Sequence, residues 1–127
     1  MSETNKENLI TKRVPFNFGP QRGAQANARL TGPCGDTMEF WFLIIDGCIQ
    51  FATYTTDGCI HSLLCGSAAA SLANGLPLDK LSTIQPEHVL ELAGDIPEDN
   101  AHCATLAVNT MRLALDKYRA ENISPSE

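Results

Sequence analysis

The dipeptide Asp46-Gly47, set between Met38–Ile45 (MEFWFLII) and Cys48–Thr55 (CIQFATYT), constrains the fold more than any other feature of the chain. Asp-Gly is a preferred loop for a two-residue type I′ turn, in which both central residues take positive φ. The residues before it are aromatic and β-branched over a run too short for a typical helix, and Ile49–Thr55 alternates as a half-buried strand does. The spacing predicts an antiparallel hairpin, 38–45 with 48–55. With Asp46 and Gly47 as the loop, Ile45 faces Cys48, Phe42 faces Phe51 and Met38 faces Thr55. The same ladder, carried four residues past its clear end, sets Cys34 beside Cys59.

A chain of 127 residues, 43% hydrophobic and 19% charged, is enough for one domain with a core that needs no disulfides. Its formal charge of −6 and the lack of a basic patch argue against nucleic acid or an anionic membrane as partner. Residues 1–13 are polar and lack the apolar core of an export signal, and no run of about 18 apolar residues occurs, so a cytoplasmic location is expected. The five cysteines are an odd number. In that setting they read as free or metal-bound thiols rather than a disulfide framework.

Around the hairpin, residues 1–14 read as a mobile arm, and Pro15–Gly32, punctuated by glycines, as an irregular segment with one short helix. Ile60–Asn74, dense in Ala, Ser and Leu, predicts a closely packed helix capped by Asp57 or Gly58. Asp79–Thr83 predicts a helical turn, and Pro86–Leu92 a short helix ending at Gly94. Apolar residues at helical spacing predict a long amphipathic helix over 101–120, with 123–127 frayed. The expected fold is α+β: a small antiparallel sheet, the hairpin plus a further strand, packed against helices in one domain over 15–122.

Three cysteines stand where chemistry is expected. Cys34 lies in Gly32-Pro33-Cys34-Gly35-Asp36, where Gly35 permits close approach by another molecule and Asp36 supplies an oxygen ligand or a general base. Cys59 and Cys103 fall at or near predicted helix starts, where unpaired N–H groups favour a thiolate. His102 adjoins Cys103, about 100° around the helix axis, so that one acts as ligand and the other in reserve. Cys48 sits at the turn, on the order of 30 Å of strand from Cys34, and reads as a small apolar residue. Cys65, about 9 Å along the helix from Cys59, reads as packing, and His61 and His88 as surface residues. Three thiols, an imidazole and a carboxylate form a soft-metal ligand set, and with no CxxC pair the ligands are dispersed, as in an exchangeable site.

These residues resemble the NifU N-terminal or IscU-like iron-sulfur cluster scaffolds. The likeness is carried by Pro33-Cys34-Gly35-Asp36, the strand pair, Thr56-Asp57-Gly58-Cys59 with the small-residue helix to Gly75, Leu78-Asp79, and His102-Cys103 opening the last helix. It implies a scaffold, not an enzyme, on which a labile 2Fe-2S cluster is built and then released to apo acceptor proteins. Cys34, Cys59 and Cys103 would be its ligands, Asp36 the residue that keeps it labile, and His102 a ligand or helper. The resemblance further implies persulfide sulfur from a cysteine desulfurase, a ferredoxin and an iron donor as further partners, and zinc in the cluster-free form. The family's Leu-Pro-Pro-Val-Lys segment, which recruits an Hsp70-type chaperone, is replaced here by Ile96-Pro97-Glu98-Asp99-Asn100, so that partner does not carry over.

Two other functions compete with this one. A zinc-bound, SufU-like sulfurtransferase would accept persulfide on a cysteine. That branch carries an insertion before its last cysteine and lacks the adjoining histidine, and this chain has the short spacing and His102. A binding module with a purely structural zinc is the third reading.

Overall fold

A computed structural model describes residues 15–122 of the chain. The segments read as a mobile arm, 1–14, and as a frayed tail, 123–127, lie outside the described residues. The order is β1 (Ala26–Thr31), β2 (Thr37–Ile45), β3 (Cys48–Thr56), α1 (Ile60–Ala73), a 3-10 turn (Leu78–Thr83), α2 (Pro86–Ala93), a second 3-10 turn (Glu98–Asn100) and α3 (His102–Asn122). The strands form one antiparallel sheet in the order β1-β2-β3, with α1 and α3 packed on it.

The turn at Asp46-Gly47 has φ of 55° and 75°, as type I′ requires, and Ile45 faces Cys48. Beyond Ile44 the expected register fails. A bulge lies between Leu43 and Ile44, so that Phe42 pairs with Ala52 and Met38 with Thr56. The cause is the core: Ile49, Ala52 and Tyr54 are all buried, and an odd step between buried residues on one strand needs an extra residue. With the bulge, Phe40 lies opposite Tyr54 and their ring centroids stand 5.8 Å apart.

The segment Pro15–Gly32 also departs from expectation, because its second half is strand β1. Alanine is a poor strand former, which hid the alternation of Ala26 and Ala28, both buried, with the outward Asn27 and Arg29. The small side chains let α3 approach the sheet closely. That helix buries Cys103, Ala104, Ala107, Val108, Met111, Ala114 and Leu115, the three-and-four spacing of an amphipathic helix.

Helix α1 is capped by Cys59, not by Asp57 or Gly58. Asp57 instead accepts the Thr37 amide at 2.8 Å, and the Gly58 amide donates to Thr56 Oγ1. The buried half of α1 is made of small residues, including Ser62, Cys65, Gly66, Ala69 and Ala73. Gly66 sits against the Tyr54 ring, where a Cβ would overlap ring carbons, and Tyr54 in turn donates to the Leu63 carbonyl at 2.5 Å. Replacing Gly66 with alanine gains about 1 kcal/mol of helix propensity, but overpacking a rigid ring costs about 1–3 kcal/mol or more. We expect Gly66→Ala to lower the urea midpoint; a raised midpoint would mean that the ring is free to move. Among the described residues no helix is long and apolar enough to cross a membrane.

Candidate metal centre

Cys34, Asp36, Cys59, His102 and Cys103 come from three segments and meet at the end of the sheet away from the Asp46-Gly47 turn. The route is not the extended ladder expected from the hairpin. Pairing of β2 with β3 stops at Met38 and Thr56, with one more bond from the Asp57 amide to the Thr37 carbonyl. Cys34 lies instead in the β1–β2 turn, closed by Gly35 N–H to the Gly32 carbonyl at 3.0 Å and Gly32 N–H to the Asp36 carbonyl at 2.8 Å. Gly35 has φ of 95°, a value few other residues adopt readily.

The donor atoms fall into two overlapping groups, Cys34 with Asp36 and His102, and Asp36 with Cys59 and Cys103. Within each group the donors lie within 4.8 Å of one another. Asp36 belongs to both, so its carboxylate, together with the approach of His102 to Cys103, links the two sides rather than a Cys34–Cys59 contact. Cys34 and Cys59 are exposed, Asp36 and His102 half-buried, and Cys103 buried. The site therefore opens outward on two thiols and is floored by the third.

His102 Nε2 lies 3.0 Å from Cys34 Sγ and 3.8 Å from Cys103 Sγ. Its other nitrogen, Nδ1, lies 3.1 Å from the Asp99 carbonyl oxygen, which can only accept. The proton therefore sits on Nδ1, and Nε2 turns its lone pair to the thiols, the arrangement of a metal-ligating histidine held by a backbone carbonyl.

Cys59 and Cys103 both lie at helix starts, as expected, Cys59 as the N-cap of α1 and Cys103 in the first turn of α3. The expected acidity of Cys103 does not follow. Burial pushes its thiol up, and the neighbouring charges of Cys59, Asp36 and Cys34 add to that. A bound cation would reverse this balance, since a ligating thiol is deprotonated outright.

Ser62 was invisible in the sequence. Its hydroxyl is fully buried, donates to Asp36 Oδ2 at 2.7 Å and lies 3.2 Å from Cys103 Sγ. In a helix of Ala, Ser and Leu it looks like one more small packing residue. The available signal was its spacing, three residues past Cys59 and so one turn up the same face. His61, expected on the surface, is half-buried, with Nδ1 3.7 Å from Cys59 Sγ. His88 is exposed and accepts the Gln85 amide at 2.9 Å, capping α2.

The remaining cysteines stand apart from these groups. Cys48 sits at the hairpin turn and bridges to Pro77. Cys65 is fully buried in α1, and burial, with the charges of Cys103 and Cys59, pushes its thiol up to about 12. In the unfolded chain a thiol ionises near about 8.5. Above that pH the unfolded chain releases the Cys65 proton while the folded chain keeps it, so this residue lowers stability as pH rises until the folded thiol itself ionises. Denaturant midpoints of the wild type should fall more steeply between about pH 8.5 and 10.5 than those of Cys65→Ala; parallel curves would mean that Cys65 does not resist ionisation.

The sequence matches the NifU-like N terminal domain over residues 11–124. The chain belongs to the NifU-like N-terminal domain family. Within it, the chain is 28% identical over 109 residues to iron-sulfur cluster assembly scaffold protein IscU 1 of Archaeoglobus fulgidus, covering 85% of this chain and 71% of that protein. It is 27% identical over 114 residues to the nitrogen fixation protein NifU of Cereibacter sphaeroides, covering 89% of this chain and 46% of the relative. The fold matches the crystal structure of a nitrogen-fixing NifU-like protein (N-terminal) from Brucella abortus with a TM-score of 0.64 over 93% of this chain and 99% of the other, at 15% identity. At that identity the likeness speaks for the NifU-like fold alone.

Proposed function

We propose that this NifU-like chain is a scaffold on which a 2Fe-2S cluster is assembled from iron and desulfurase-derived sulfur, held transiently, and passed to apo acceptor proteins. The observation that carries this reading is the convergence of three thiols, one imidazole nitrogen and one carboxylate from three separate segments on an open site. The donor set fits the cargo: thiolates hold iron-sulfur clusters, and an imidazole can replace a thiolate on one iron. Family membership and the scaffold relatives agree with it.

In this reading Cys34, Cys59 and Cys103 are the principal cluster ligands, with His102 and Asp36 completing the site. Asp36 is a hard oxygen donor among soft ones, and such a ligand holds iron less tightly than a thiolate. It makes the site one from which the cluster can leave. Sulfur arrives at the oxidation level of a persulfide. Release of each sulfide therefore takes two electrons, which assigns a role to a reductant such as a ferredoxin beside the cysteine desulfurase and an iron donor. Without the cluster, the same tetrahedral-capable set of S, N and O donors fits zinc.

One observation favours a second reading. Cys34 is exposed and 3.0 Å from a histidine nitrogen able to take its proton, as suits a thiol that receives persulfide in a zinc-bound sulfurtransferase. Anaerobic reconstitution with iron, cysteine and a cysteine desulfurase separates the two. A scaffold develops the visible absorbance of a cluster at about two irons per chain or per dimer. If zinc instead stays tightly bound, no cluster forms and the desulfurase is accelerated, the sulfurtransferase reading takes its place. If zinc removal unfolds the chain and neither activity appears, the zinc is structural.

A further inference from the structure

A hydroxyl buried as completely as that of Ser62 must find a partner, and Ser62 finds two. Its single hydrogen goes to Asp36 Oδ2 at 2.7 Å, because a carboxylate can only accept, and this leaves its oxygen facing Cys103 Sγ at 3.2 Å. A hydrogen bond to an ionised acceptor is roughly twice as strong as a neutral one. Among the described residues no other side-chain hydrogen bond reaches the Asp36 carboxylate.

The backbone around this pair is arranged to let it form. Gly58 passes so close that a Cβ on it would lie 2.5 Å from Ser62 Oγ and 2.6 Å from Asp36 Oδ2. Gly58 has no positive φ, so its missing side chain is required by the contact and not by the backbone conformation. Three segments thus cooperate in one bond: the β1–β2 turn brings Asp36, the chain entering α1 brings Gly58, and the first turn of α1 brings Ser62.

We propose that Ser62 is a positioning residue of the metal centre: by holding one oxygen of Asp36 it fixes the carboxylate that links the Cys34–His102 side of the site to the Cys59–Cys103 side. It is not itself a ligand. This rests on the reading of the site as a metal centre, and its test uses simple ions so that it can fail or succeed whether or not a cluster is ever assembled.

The test is a double-mutant cycle on the full chain with wild type, Ser62→Ala, Asp36→Ala and the double variant. Zinc affinity is measured by competition with a chromophoric chelator, and the coordination sphere by the visible spectrum of the cobalt(II) form. Alanine at a buried helical position loses one oxygen and gains helix propensity, so the variant folds, and metal-free thermal melts verify it. Ser62→Ala should weaken zinc binding by about 10- to 100-fold, the usual effect of removing a partner of a metal ligand. It should also shift the cobalt d–d bands in the same direction as Asp36→Ala, and have no further effect once Asp36 is alanine. Gly58→Ala, which drives the pair apart without altering either member, should reproduce Ser62→Ala. Equal losses from Ser62→Ala in both backgrounds, or unchanged zinc affinity and cobalt bands, would overturn the proposal. If the wild type binds zinc as expected yet never yields a transferable cluster, the scaffold reading falls while the cycle still decides the role of Ser62.

Discussion

Replacing Cys34, Cys59 or Cys103 with serine, one at a time, should abolish stable cluster assembly, whereas Cys48→Ser and Cys65→Ser should leave it largely intact. The first three place their sulfurs in the two donor groups that share Asp36. Serine substitutes a neutral, hard hydroxyl for a soft thiolate, and the loss of a ligand itself should exceed the roughly 10- to 100-fold effect of losing a ligand's partner. Cys48 is at the far end of the hairpin, so its hydroxyl analogue changes nothing at the site. Cys65 is buried in α1, where a serine hydroxyl can bond the carbonyl one turn back, so the cost should be about 1 kcal/mol of stability. Cluster absorbance after anaerobic reconstitution, with a melt of each variant, checks the pattern. Equal loss of cluster in all five variants would refute the placement of the site.

Asp36→Ala should act in the opposite sense to a ligand knockout, giving a cluster that persists longer and transfers more slowly. Asp36 is the shared member of the two donor groups, and it is tied to the fold by Ser62 rather than by the cargo. A carboxylate in that position competes for iron as a weak, exchangeable ligand and gives incoming thiols of an acceptor an easy group to displace. Without it, displacement must begin at a thiolate or imidazole. The rate of cluster loss to a chelator and the rate of transfer to an acceptor should both fall. Faster transfer from Asp36→Ala would contradict this role.

The parts of the molecule that were legible in the sequence share one property: a residue type with few other uses. Asp46-Gly47 demanded positive φ at two successive positions, and only one turn family supplies that. Cysteines 34, 59 and 103, with His102 and Asp36, stood out because thiols and imidazoles are rare and their spacing was informative. What was hidden depended on residues with many uses. Alanines 26 and 28 make a strand only because α3 presses on them, and the bulge beside Ile44 follows from which of Ile49, Ala52 and Tyr54 the core selects. The expected pairing of Cys34 beside Cys59 does not form: the ladder stops short, a glycine-bearing turn brings Cys34 round, and the two cysteines fall in different donor groups that share Asp36. Ser62 had no signal beyond its place one turn from Cys59, and Gly58 none beyond standing before that cysteine. What they contribute rests on a 2.7 Å hydrogen bond and on the absence of a side chain beside it, which only the folded chain brings together.

The central claim, that the cluster is cargo and not a fixture, is tested most directly by following it out of the protein. The chain is loaded anaerobically, mixed with an apo-ferredoxin in the presence of a chelator that intercepts free iron, and the visible circular dichroism is recorded as the holo-ferredoxin signal grows. The account predicts that the cluster signal of this chain disappears as that of the ferredoxin appears, with little iron captured by the chelator. A cluster that stays on this chain while the acceptor remains empty, or iron that passes to the chelator instead of the ferredoxin, would contradict it.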